Sequence, residues 1–172
     1  MKHIALLRGI NVGGHHKIKM ADLKAMFEAM GMAEVVTYIQ SGNVIFEAHD
    51  AKDLKIAIEQ KIETTFGFFV PVIIRTVGEL QVIYDANPFG DFNVETEGTK
   101  VLVTFLSDAP QQDNIDSLLP FKVASEILHF IHQEAYFYCP DGYGITKLTN
   151  ALLEKNSTCK PPPAIGKQCA SY

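Results

Sequence analysis

The chain has no C-x-x-C pair. Its three cysteines, Cys139, Cys159 and Cys169, are widely spaced and odd in number, so neither a zinc knuckle nor a redox dithiol is indicated, and reduced structural thiols are expected. Long apolar runs are missing too: the longest, such as Val70–Ile74, fall far short of the roughly 20 residues that cross a bilayer. The first residues carry no signal-peptide apolar region and no A-x-A site, so a cytoplasmic location is expected. Positive charge is scarce overall. A net charge of −5 argues against coating nucleic acid through bulk charge. Local nucleophile signatures around serine or cysteine are also absent.

What is present is a chain of 172 residues, 47% hydrophobic and 20% charged, ordinary for a globular protein and long enough for one large domain or two small ones. Residues 3–8 form a β-rich run ending in a loop with three glycines, Gly9, Gly13 and Gly14. Leu23, Met26, Phe27 and Met30 then recur on one helical stripe closed by Gly31. Residues 34–39 and 44–47 read as paired strands around the turn Gln40-Ser-Gly-Asn43. Asp50 is a candidate cap for a helix carrying Leu54, Ile58, Ile62 and Phe66, and residues 68–75 read as the next strand. This order, β-α-β-β-α-β, is the split βαβ or ferredoxin-like pattern. In that topology the fourth strand lies at an edge, where Pro71 can be tolerated because no ladder N–H is needed there.

Thr76 and Glu79 have capping-box spacing and open a short helix to Ala86. The acidic stretch 91–99 reads as a surface loop. The order then repeats with a strand at 100–106, a helix at 110–119, a hairpin of 126–131 with 135–139, and a helix capped by Thr146. The expected class is therefore α+β, two tandem ferredoxin-like halves with mostly antiparallel sheets. The divisions are 1–75, a helix and linker at 76–99, 100–155, and an irregular tail at 156–172.

The first loop nearly matches a phosphate-binding P-loop. Gly9 and Gly14 have the spacing, but His15 and His16 stand where Lys and Ser or Thr belong. A weaker reading remains. Glycines that permit unusual backbone precede a helix whose first N–H groups favour anions, with Arg8 and Lys17 flanking, and residues 1–19 contain no acid. A flexible connection with solvated charges is the competing reading. His15 and His16 are adjacent and lack further ligands at metal spacing, and His129 and His132 are expected on opposite sides of a strand, so no metal or cofactor is expected. The hairpin turn accounts for Gly42 and Asn43 but less well for Gln40. Lys147 and Asn150 share a helix face in a first turn, where a lysine opposes the helix dipole and suits anion capture; a solvated lysine is the alternative.

Taken together, Leu6-Leu-Arg-Gly-Ile-Asn-Val-Gly-Gly14, Lys17, Met20, Thr37-Tyr-Ile-Gln-Ser-Gly-Asn43, Asn87-Pro-Phe89, Asp141-Gly-Tyr-Gly144 and Lys147-Leu-Thr-Asn-Ala-Leu-Leu-Glu154 closely resemble the bacterial family called domain of unknown function 1697, over residues 1 to about 155. The resemblance implies an α+β fold with ferredoxin-like parts and carries no established cofactor or catalytic residue. Arg8, Asn11, Gly13, Gly14, Lys17, Gln40, Ser41, Asn43, Lys147 and Asn150 match the family's polar motif positions, whereas His15 and His16 fall in a variable stretch. The ending TCKPPPAIGKQCASY departs from the family's Thr-Thr-Arg-Asn-Trp-type segment. One set of codons for it, read in a shifted frame, restores that segment, so a frameshift in the gene or its sequencing is expected there.

The function expected is the binding of an anionic small molecule, a phosphate-bearing metabolite foremost, by those motif residues. An enzyme acting by charge stabilisation at the same site and a protein-interaction module are the alternatives, and self-association is open. RNA binding on the sheet is disfavoured, because strand 3–8 offers no aromatic and strand 44–47 only Phe46.

Overall fold

A computed structural model describes residues 1–12, 14–38, 42–49, 53–90, 100–106, 108–142, 146–147 and 168–170. The described chain divides into two units, Met1–Val82 and Ile83–Tyr172.

In the first unit β1 (Lys2–Leu7), α1 (Met20–Ala29), β2 (Ala33–Tyr38), β3 (Asn43–Glu47), α2 (Leu54–Phe66) and β4 (Val72–Thr76) follow one another. The antiparallel sheet has the order β2-β3-β1-β4. β1 is central, pairing Ala5 with Val44 of β3 and with Ile74 of β4. β4 is an edge, and Pro71 stands just before it, where its missing N–H costs the ladder nothing. The Pro71 carbonyl instead accepts the Arg8 N–H at 3.1 Å.

Strand alternation divides the residues of this sheet between two faces. Ala5, Leu7, Val44, Phe46 and Val72 form one buried core with Leu23, Met26 and Phe27 of α1 and Ile58 and Ile62 of α2. The helical stripe read from the sequence is thus the stripe that packs. Burying a side chain such as Phe46 contributes about 1.5–3 kcal/mol, and its ring meets Phe27 edge-on at 5.3 Å. His3 lies on the same face, buried and stacked on Phe46 at 5.5 Å. Neither of its ring nitrogens has a hydrogen-bond partner among the described residues. α1 stops where Gly31, at φ +82°, donates to the Glu28 carbonyl. α2 stops at Gly67 in the same conformation. It starts behind Asp53, which is left-handed and makes no side-chain cap; Asp50, the expected cap, lies outside the described residues.

α3 (Val77–Asp85) opens on the expected capping box. Glu79 Oε2 accepts the Thr76 N–H at 2.6 Å and the Thr76 hydroxyl at 2.8 Å, and the Glu79 N–H donates to Thr76 Oγ1 at 3.1 Å. These bonds satisfy donors that a helix start leaves open. The bond from the Thr76 N–H, above all, holds the Glu79 carboxyl below its ordinary pKa, with the hydroxyl bond and the charge of Arg75 acting the same way and partial burial opposing.

The division between units falls inside α3, within the expected 76–99 connection, and packing explains it. The Tyr136 hydroxyl donates to the Ile83 carbonyl at 2.9 Å, and Phe89 packs on His129 and Tyr138 at 5.8 and 5.9 Å. Residues from Ile83 onward therefore group with the second unit. The acidic stretch 91–99 lies outside the described residues.

The second unit holds β5 (Val101–Phe105), α4 (Gln112–Leu118), a 3-10 turn (Leu119–Phe121), β6 (Ile127–Ile131), β7 (Glu134–Tyr138) and β8 (Gln168–Ala170). The sheet order is β6-β7-β5-β8, the same arrangement as in the first unit. Leu102, Leu118, Ala135, Phe137 and Cys139 form its buried cluster. Within the tail the structure describes three residues, Gln168–Ala170. They pair antiparallel with Phe105, Thr104 and Val103, on the edge that β5 presents away from β7. The rest of the tail and the expected helix at 148–153 lie outside the described residues. Both sheets are antiparallel and carry helices, so the molecule is α+β with two ferredoxin-like halves.

Candidate functional site

The connection from β1 to α1 concentrates unusual backbone. Gly9, Asn11, Gly14 and His16 all adopt positive φ, at +71°, +57°, +81° and +49°. For non-glycine residues this region costs roughly 1–2 kcal/mol, so something must hold the loop. Two apolar anchors do part of it: Ile10 and Ile18 are 1% and 2% exposed. Asn11 does the rest. Its Nδ2 donates to the Ile18 carbonyl and its Oδ1 accepts the Ile18 N–H, both at 3.0 Å. A side-chain amide thus grips one residue's backbone on both sides, the orientation an amide alone can supply. The Asn11 N–H donates to the His16 carbonyl at 3.2 Å and the His15 N–H to the Val12 carbonyl at 3.1 Å, closing a small ring of chain.

The ring's exposed tip meets the turn after α2. The His16 imidazole stacks on Phe68 with centroids 4.5 Å apart and planes 19° apart, and Phe68 in turn lies 6.5 Å from Phe66. Gly42 packs against the loop: its φ is +83°, and a Cβ there would collide with the Ile10 side chain. Its carbonyl accepts the Leu7 N–H at 3.2 Å.

Beside this loop is an open groove of about 710 Å³, lined by Asn11, Gly14, Lys17, Ile18, Lys19, Met20, Asp22 and Phe66. Lys17 and Lys19 are exposed. Lys19 is the N-cap residue of α1 and makes no side-chain cap; an ammonium has only donors, so it cannot satisfy the first-turn N–H groups. Two cations and an uncapped helix start therefore line the same groove as apolar Met20 and Phe66. Asp22, in the first turn, brings a carboxylate to the same groove; it complements the helix dipole and competes with any external anion.

Of the residues singled out from the sequence, Asn11, Gly14 and Lys17 meet at this groove. Arg8 and Asn43 do not contribute to its lining. Asn43 begins β3 opposite Leu6 and Tyr38, which places it on the sheet face turned away from the helices. Lys147 is exposed and belongs to the second unit. Gly13, Gln40, Ser41 and Asn150 lie outside the described residues. Sequence reasoning passed over Lys19, Asp22, Phe66 and the His16–Phe68 stack. The two charges were readable as first-turn positions, but nothing local signals a ring contact between residues so far apart. Among the described residues no group of three or more His, Cys, Asp or Glu side chains could hold a metal ion, and no helix is long and apolar enough to cross a membrane.

Comparison with known proteins gives two results. The family model described as "Protein of unknown function (DUF1697)" matches residues 1–136. A solved structure, that of the conserved bacterial protein SP0830 from Streptococcus pneumoniae, superposes with a TM-score of 0.64 at 21% identity, covering 84% of this chain and 81% of that one. At that identity the likeness shows the fold alone. No curated protein matches the chain.

Proposed function

Since the chain belongs to a family of proteins of unknown function, DUF1697, we propose its role from the groove itself: the protein binds a small anionic metabolite, with a phosphate group as the recognised anion. The supporting observation is the convergence of Lys17, Lys19 and the uncapped start of α1 on one groove that apolar Met20 and Phe66 also line. Each exposed cation contributes about 0.2–1 kcal/mol and the helix start about 0.3–1 kcal/mol. Inorganic phosphate alone therefore binds only on the order of tens of millimolar, and useful affinity needs the apolar body of the ligand against Met20 and Phe66. Arg8, Gln40, Asn43, Lys147 and Asn150, singled out by family position, carry no part of this groove reading. The buried thiol of Cys139 accompanies a reducing, cytoplasmic setting.

The test is a phosphate titration followed by amide chemical shifts. Shifts confined to residues 11–22, weakened severalfold by Lys17→Ala plus Lys19→Ala and lost at high salt, support the reading. A spectrum unmoved at tens of millimolar phosphate, or one that moves equally in the double variant, overturns it.

A further inference from the structure

The loop beside the groove holds one side chain that neither its anchors nor its amide clamp explain. His16 adopts φ +49° although it is exposed and buries no apolar stem of its own. Its ring lies flat on Phe68 at 4.5 Å, and Phe68 is half-buried against the first core. The stack is the one ring contact made by the tip among the described residues, since Val12 is 67% exposed and Gly14, His15 and Lys17 are exposed as well. The next residue is Lys17, which lines the groove. Fixing the backbone of His16 fixes the departure point of the Lys17 side chain, and a lysine with four rotatable bonds recognises an anion well only when its stem is placed.

We propose that His16 is a positioning residue: by stacking on Phe68 it locks the loop tip and places Lys17 over the groove. This rests on the anion-binding reading for its consequence, but not for its geometry. The ring acts as a flat body here, not as an acid, base or ligand, so an aromatic replacement preserves the role and a small one removes it. Aromatic pairing of this kind is worth a few-fold to about tenfold in an equilibrium that depends on it.

The experiment compares His16→Ala, His16→Phe and Lys17→Ala in the full chain, by 15N relaxation without ligand and by phosphate titration. In His16→Ala the order parameters of Gly14–Lys17 fall, the thermal midpoint stays that of the parent, and phosphate binding weakens about three- to tenfold. His16→Phe restores both readings. Tip amides as rigid in His16→Ala as in the parent, or a His16→Phe variant as mobile as His16→Ala, overturn the proposal whatever phosphate does. Normal phosphate binding by His16→Ala beside impaired binding by Lys17→Ala overturns the positioning of Lys17 and leaves the anion site standing. Equal binding by all three removes the anion site, while the relaxation data still decide the lock.

Discussion

The two halves share a strand order and differ in what joins the first strand to the first helix. From β1 to α1 the chain takes residues 8–19, four of the described ones at positive φ. From β5 to α4 it takes only residues 106–111, and none of the described ones is at positive φ. The helices differ as well: α1 and α2 bury Leu23, Met26, Phe27, Ile58 and Ile62, whereas α4 buries Leu118. The lesson is that one topology leaves the strand-to-helix connection free to vary. In this protein the long, strained connection belongs to the first half, and the groove is found beside it.

The largest effect sharpens this contrast. Phe46→Ala in the first core costs about 3–5 kcal/mol, and Phe137→Ala in the second falls toward the low end, because the cluster around it has fewer members among the described residues and collapses more readily around the hole. Urea midpoints of the two variants measure the difference; a Phe137→Ala cost above that of Phe46→Ala breaks the comparison. Gly42→Ala is next, at about 2–4 kcal/mol. It combines a left-handed backbone with a collision against Ile10, and both penalties operate at once. The same substitution at Gly90, also at positive φ but with open space around it, costs only the backbone term. Asn11→Ala removes both bonds to Ile18 and costs about 1–3 kcal/mol. Asn11→Asp keeps the acceptor but loses the donor, and lies between the two in thermal midpoint.

The smallest effect concerns α3, where the division between halves falls. Glu79 has a folded pKa below its ordinary value of 4.5, chiefly through the Thr76 N–H. The unfolded chain therefore binds the proton more readily. The stabilisation is complete above the ordinary value and disappears as pH falls through the lowered one. Glu79→Gln flattens that part of the stability curve in acid and leaves the neutral-pH value lower by a fraction of a kcal/mol. A urea series from about pH 6 down to about pH 3 reads it, and an acid limb unchanged in Glu79→Gln assigns the titration elsewhere.

Much of the fold was legible because its determinants are local. The stripe Leu23, Met26, Phe27, the stops at Gly31 and Gly67, and the Thr76–Glu79 box each depend on residues within a few positions of one another. Even the edge placement of β4 could be read from Pro71. The site was legible only as a neighbourhood. Glycines and lysines marked the loop, but Asn11 read as a ligand-binding amide, while its two polar atoms are engaged by Ile18. The His16–Phe68 stack and the fit of Gly42 under Ile10 join residues distant in the chain, and no periodicity encodes such meetings.

The Asn11 clamp also has an engineering consequence. By tying residue 11 to residue 18, it makes the segment between them a side branch whose ends are already fixed, so mechanical strain introduced there stops at the clamp. The β1–α1 tip is accordingly a graft point. A short foreign peptide spliced between Val12 and Lys17 would be displayed outward while the sheet and α1 keep their register, which makes this protein a scaffold for presenting sequences unrelated to its own.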